Sequence, residues 1–175
     1  KEDQDKFSST LEKQKFKKEQ NRILENQYGS EFMRYEKKNP VISVDLLING
    51  LVSRTTDASF SFDLISNDSQ KREIIGIEKE IEAKIPSKEL LIAMKLHSGR
   101  LTDIRDIAAL AKDTNLEKIQ KLISRGNLEI VRKHLKELKE TIHNKNFIDS
   151  FKGVFLEKKF DIDLRQLEKI SELQI

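Results

Sequence analysis

The chain of 175 residues contains no cysteine and no tryptophan. Without cysteine there is no disulfide frame, no thiolate metal site and no thiol nucleophile. Only six glycines are present, and none begins a Gly-x-x-x-x-Gly-Lys phosphate loop. The three histidines, His97, His134 and His143, lack the close spacing of a metal-ligand pair. No serine or threonine sits in a nucleophile-elbow pattern. No apolar run approaches the length of a membrane span, and no signal peptide is visible. Neither sign of charge dominates: 33 basic residues face 30 acidic ones, for a formal net charge of +3. That balance gives a mixed-sign surface and excludes a strongly basic nucleic-acid glove. The expectation is a soluble, cytoplasmic protein with no membrane partner. It has chain enough for one domain or one and a half. The sequence opens Lys1-Glu2-Asp3, inside a charged helix-like segment, so a missing beginning is expected.

What is present is concentrated between Ile85 and Leu110. Pro86 and Ser87 suit the first turn and the cap of a helix. Leu90, Leu91, Met94 and Leu96 make that helix apolar, with Lys95 set among them. Gly99 ends it, since glycine accepts the left-handed conformation common at helix ends. Thr102 is expected to cap a second helix with Ile104, Ile107, Ala108 and Ala111 on one face. Asp103 and Asp106 fall in its first turn, where the helix dipole favours carboxylates. A helix-turn-helix whose charges only cap and solvate it is one reading of this pattern. Snorkelling of Lys95 to water and a structural lock of Arg100 with Asp103 or Asp106 belong to that reading.

Upstream, Phe7 and Leu11 predict a short helix, and a second short helix or link is expected over 21–27. Tyr28-Gly29-Ser30 reads as a turn. Glu31 to Lys38 alternates weakly, and Lys37-Lys38-Asn39-Pro40 signals a hairpin turn. Val41 to Ile48 is the best strand in the sequence, rich in β-branched residues and bounded by Pro40 and by Asn49-Gly50. Asp45 interrupts it. An aspartate there is either a carboxylate facing water or a metal-ligating or catalytic group on a rigid element. Ala58 to Ile65 predicts an extended segment with Phe60, Phe62 and Leu64 on one face. Arg72 to Ile85 predicts two short strands divided at Gly76.

Downstream all patterns are helical. Leu116, Ile119, Leu122 and Ile123 form one stripe, capped near Thr114. Asn127 caps the next, carrying Leu128, Val131, Leu135, Leu138 and Ile142. A helix is expected over 146–158, and Asp163 caps a last one. The expected fold class is α+β: a small mixed or antiparallel sheet followed by a C-terminal helical bundle. The expected division is a sheet region over 1–85 and a helical region over 86–175.

A strand with a lone Asp45, then short strands, then Pro86-Ser87-Lys88-Glu89-Leu90-Leu91-Ile92-Ala93-Met94-Lys95, then Arg100, Asp103 and Asp106, resembles minimal nucleotidyltransferase-fold proteins. The AbiEii-like toxins and related proteins are the nearest likeness, over roughly residues 40–112. The resemblance implies metal-dependent transfer of a nucleotide from an NTP to an RNA or protein acceptor, with Mg²⁺ and the NTP as cofactors. It implies Asp45 as metal ligand and catalytic carboxylate. Lys95 and Arg100 become contacts to the triphosphate, and Asp103 and Asp106 become supporting residues. It also implies tRNA or an antitoxin protein as partner. The family's Gly-Ser turn followed by paired carboxylates is not matched before Asp45, so two of three expected metal carboxylates are missing from this sequence. Hard Mg²⁺ seeks several oxygen ligands, which one aspartate does not supply. A different class fits the same residues: a non-catalytic helical binding or antitoxin-like module, with the helix over Leu128 to Ile142 docking a partner or RNA. Convergence of Asp45 and Lys95 on one open cleft separates the two readings.

Overall fold

The computed structural model describes residues 3–19, 31–75, 79–144, 146, 147, 149 and 162–175. The fold is α+β: small antiparallel sheets come first, and a helical region follows. The expected elements over 21–27 and 28–30, and most of the helix expected over 146–158, lie outside the described residues.

Helix α1 (Gln4–Lys13) leads into β1 (Lys17–Lys18), β2 (Glu31–Lys38) and β3 (Val41–Ile48), which form an antiparallel sheet in the order β1-β2-β3. The turn at Asn39-Pro40 sets the register of β2 against β3 from Lys38↔Val41 to Glu31↔Ile48. Side chains alternate across a strand, so this register puts Met33, Tyr35, Val44, Leu46 and Ile48 on one face. Leu11 and Phe16 pack on that face and close a small apolar cluster. Asp45 falls on the opposite face.

Next come β4 (Gly50–Val52) and β5 (Ser59–Ser61), paired antiparallel, then helix α2 (Phe62–Asp68). The extended segment expected through Ile65 therefore ends at Ser61. The Ser61 hydroxyl accepts the Leu64 backbone N–H and starts a helix there. This splits the aromatic face expected for the segment: Phe60 is fully buried, whereas Phe62 is 64% exposed. Strands β6 (Gln70–Ile75) and β7 (Glu80–Ile85) form a separate two-stranded ribbon, as the division at Gly76 predicts.

The helical region holds α3 (Lys88–Ser98), α4 (Leu101–Leu110), α5 (Leu116–Ile123), α6 (Leu128–Ile142) and α7 (Leu164–Ser171). Ser87 caps α3 through the Leu90 N–H, Asn127 caps α6, and Asp163 caps α7 through the Gln166 N–H. Gly99 closes α3 at φ 67°. At Gly126 a Cβ would lie 2.3 Å from the Thr56 carbonyl oxygen, so the chain crosses there only as glycine. One observed cap differs from expectation: α4 starts at Leu101, with Arg100 rather than Thr102 at the N-cap. The cause is Asp103, which reaches back to accept the Arg100 backbone N–H.

The main core runs from Leu90, Ile92 and Leu96 on α3 through Ile107, Ile119, Ile123, Val131 and Leu138 to Leu167 and Ile170. Ala58 and Phe60 belong to it, with Leu51, Leu64 and Ile65 packed against them. Apolar packing thus groups Leu51, Ala58, Phe60, Leu64 and Ile65 with the helices. The stripe on α6 is spent in this core: Val131, Leu135, Leu138 and Ile142 are all buried. Of the stripe expected on this helix, Leu128 alone remains partly exposed.

Candidate functional site

Asp45 stands on β3 directly across from Arg34 on β2. The guanidinium holds both carboxylate oxygens: Nε donates to Oδ1 at 2.8 Å and Nη2 to Oδ2 at 2.9 Å. This fork geometry is the strongest arrangement open to an arginine and a carboxylate. The hydrogen bond from Arg34 holds the Asp45 carboxyl below the usual carboxylate range, against a smaller upward push from burial. Asp45 is therefore an ionised group with its charge already matched. Its partner was legible in principle, because a turn at Asn39-Pro40 pairs residue 38 with 41 and so 34 with 45.

Lys95 lies on α3, in a different place. Its ammonium bonds the Asp103 carboxylate at 3.2 Å and the Asp106 carboxylate on the next turn of α4. Arg100 adds Nε to Oδ2 of Asp103 at 2.8 Å and Nη2 to Oδ1 at 3.1 Å. Asp103 is 1% exposed, so this is a buried carboxylate held by two cations. Burial raises its pKa, but the bonds from Arg100, Ser98 and Lys95 outweigh that and bring it down to about 2. Burial likewise works against the Lys95 charge, and the bonds to Asp106 and Asp103 carry its pKa above the ordinary lysine value. The four residues clamp α3 to α4. Gly99 and His134 border the same spot, and the His134 Nδ1 bonds the Leu96 carbonyl at 2.7 Å.

Asp45 and the Lys95 cluster do not share a cleft. The shallow pocket beside Lys95 is lined by Arg100, Asp103, Ile107, His134 and Glu137 and is too small for a nucleotide. Asp45 instead lines a depression of about 830 Å³ at the outer edge of β3. Its other walls come from the N-terminal end of α1 and the start of α2. Three large apolar side chains stand open around it: Phe7 at 58% exposure, Phe62 at 64% and Leu47 at 37%. Asp3, Asp45 and Asp63 are the charged groups of its lining. Sequence reasoning had no route to this surface, since it joins residues from three elements far apart in the chain.

The implied Mg²⁺ does not fit the described residues. Both oxygens of Asp45 are taken by Arg34, and among the described residues no group of three or more His, Asp or Glu side chains is placed to hold a metal. Of the histidines, His97 is buried, whereas His143 is exposed at the C-cap of α6. His97 is fully buried, its Nδ1 bonded to the Thr56 hydroxyl at 2.8 Å and its ring edge-on to Phe60. Burial, followed by the nearby Arg125 charge, pushes its pKa down to about 4. Among the described residues no helix is long and apolar enough to cross a membrane.

No family model matches the chain, and neither a curated protein nor a solved structure matches it.

Proposed function

We propose that the chain is a nucleotidyltransferase-like protein whose described residues act as a binding module rather than as a metal-dependent catalyst. The observation that carries this reading is the separation and internal closure of the candidate charges. Asp45 is neutralised by Arg34 at one place, and Lys95 is neutralised by Asp103 and Asp106 at another. Groups committed to each other in this way hold the fold and leave little charge for a triphosphate. Arg100, Asp103 and Asp106 act as the lock between α3 and α4.

The binding surface is the depression at the edge of β3. Phe7, Leu47 and Phe62 offer apolar area, and Asp3 and Asp63 offer negative charge, the Asp45 charge being matched by Arg34. Polyanions are repelled there, so a free NTP or tRNA is the wrong partner for this surface. The partner that fits is a protein segment with large apolar side chains flanked by lysine or arginine. A cytoplasmic location and an antitoxin-like role belong to the same proposal. The test is a titration of the isotope-labelled chain with a synthetic amphipathic Leu/Lys helix. Saturable shifts at Phe7, Leu47 and Phe62, abolished by Phe62→Asp, support the reading. Absence of shifts, or shifts confined to other faces, overturns it.

One observation favours a second reading, in which Asp45 serves Mg²⁺-dependent nucleotide transfer to RNA or protein. Asp45 opens on a depression whose volume lies within the range of small-molecule sites. That reading requires further carboxylates from outside the described residues and release of Asp45 from Arg34. Its signature is label transfer from an NTP that is lost in Asp45→Asn.

A further inference from the structure

Strands β6 and β7 make a ribbon that pairs with no other described strand. Two strands alone are marginal, and a free edge is open to pairing. Ile74 and Ile81 face each other on this ribbon and are 41% and 57% exposed. Its charged face is unusual. Lys71 stands directly across from Lys84, and Glu73 directly across from Glu82. Like charges directly opposite destabilise a strand pair. Among the described residues only the diagonal bridge from Lys71 to Glu82, at 2.7 Å between well-exposed groups, relieves them.

The sequence of β7 supplies what the ribbon lacks. Ile81-Glu82-Ala83-Lys84-Ile85 is symmetric about Ala83 in shape and antisymmetric in charge. We propose that the outer edge of β7 pairs antiparallel with the same edge of a second copy of this chain, about a two-fold axis at Ala83. In that register Glu82 faces Lys84 of the second copy, and Lys84 faces its Glu82. Ile81 and Ile85 face their counterparts in the same way, and Ala83 faces Ala83. The two ribbons become one four-stranded sheet. Each like-charged pair then lies beside a pair of opposite sign: Lys71 and Lys84 beside Glu82 and Glu73 of the second copy. On the other face Ile74 and Ile81 continue into Ile85 of the second copy, extending the apolar row. A two-fold contact requires such self-complementarity. This inference uses a surface distinct from the depression at β3 and stands without the binding reading above.

The test is sedimentation equilibrium of the full chain, taken up to roughly 100 µM to cover micromolar dissociation constants. The expected species is a dimer. Glu82→Lys places like charges at both symmetric contacts and is expected to weaken association by roughly tenfold or more. Lys84→Glu does the same. Within one ribbon each of these single changes converts a repulsive opposite pair into an attractive one, which for Glu82→Lys offsets the lost, well-exposed bridge to Lys71, so weakened association does not report unfolding of the ribbon. The double variant Glu82→Lys/Lys84→Glu recreates a complementary edge and is expected to recover the dimer. A chain that stays monomeric at the highest concentration overturns the proposal. So does a dimer indifferent to the single changes, or one not recovered in the double variant.

Discussion

Asp103→Asn tests the reading of the Lys95 cluster as structure. The carboxylate is 1% exposed and accepts from Lys95 and Arg100 at 2.8–3.2 Å. Its pKa of about 2 compares with an ordinary aspartate value near 3.9, and that gap corresponds to about 2–3 kcal/mol of stability at neutral pH. Asparagine keeps the shape and one acceptor but removes the charge that Lys95 and Arg100 face. The expected loss is therefore about 2–3 kcal/mol in urea unfolding at pH 7, or a drop of roughly 5–10 °C in Tm for a chain of this size. Because the folded pKa is depressed, the stabilisation is complete above the unfolded value and disappears as pH falls from about 4 to about 2. The wild-type chain should lose more stability across that window than the variant, which keeps the Asp45, Asp68 and Glu89 carboxylates but not Asp103, so the two curves converge in acid. Asp45→Asn is the contrasting change. Its ion pair with Arg34 is about one-third exposed, and the expected loss is below about 1 kcal/mol. An Asp103→Asn variant within about 0.5 kcal/mol of wild type, or a difference that does not vary with pH, refutes the structural role.

Other outcomes follow from the same geometry. His97, with its folded pKa near 4, should remain neutral in NMR titration down to about pH 4. Its depressed pKa means that the unfolded chain takes up a proton first, so stability should fall by up to about 3 kcal/mol as pH drops from about 6.5 to about 4. Phe60→Ala, at a fully buried ring over which Arg125 lies at 5.0 Å, should cost about 3–5 kcal/mol in denaturant unfolding. Gly126→Ala forces a Cβ against the Thr56 carbonyl at φ 63°, and should cost on the order of 1–3 kcal/mol by the same assay.

Much of the architecture is legible because local signals and packing agree. The β-branched run of β3, with a turn before it, pairs as expected with β2. Ser87, Gly99, Asn127 and Asp163 mark helix ends that the structure keeps. Ser59-Phe60-Ser61-Phe62 misleads because its alternation suits a strand, while Ser61 caps a helix at its second half. The core decides between them by taking Phe60 and leaving Phe62 outside. Thr102 fails as a cap for a similar reason. Asp103 satisfies the Arg100 N–H one turn earlier, and no propensity scale carries that competition. The Lys95 lock follows from spacing on two consecutive helices, which a sequence does encode. The depression by β3 does not, because α1, β3 and α2 meet only through tertiary packing.

The most direct measurement is an NMR titration of the isotope-labelled chain with Mg²⁺ and ATP, read at the Arg34 guanidinium and the Asp45 carboxylate. A binding module whose candidate charges are closed on each other predicts that both signals stay where they are and that the Arg34 Nε–H remains bonded. A saturable shift at Asp45 that requires Mg²⁺, and that Asp45→Asn removes, contradicts it and establishes a metal–nucleotide site.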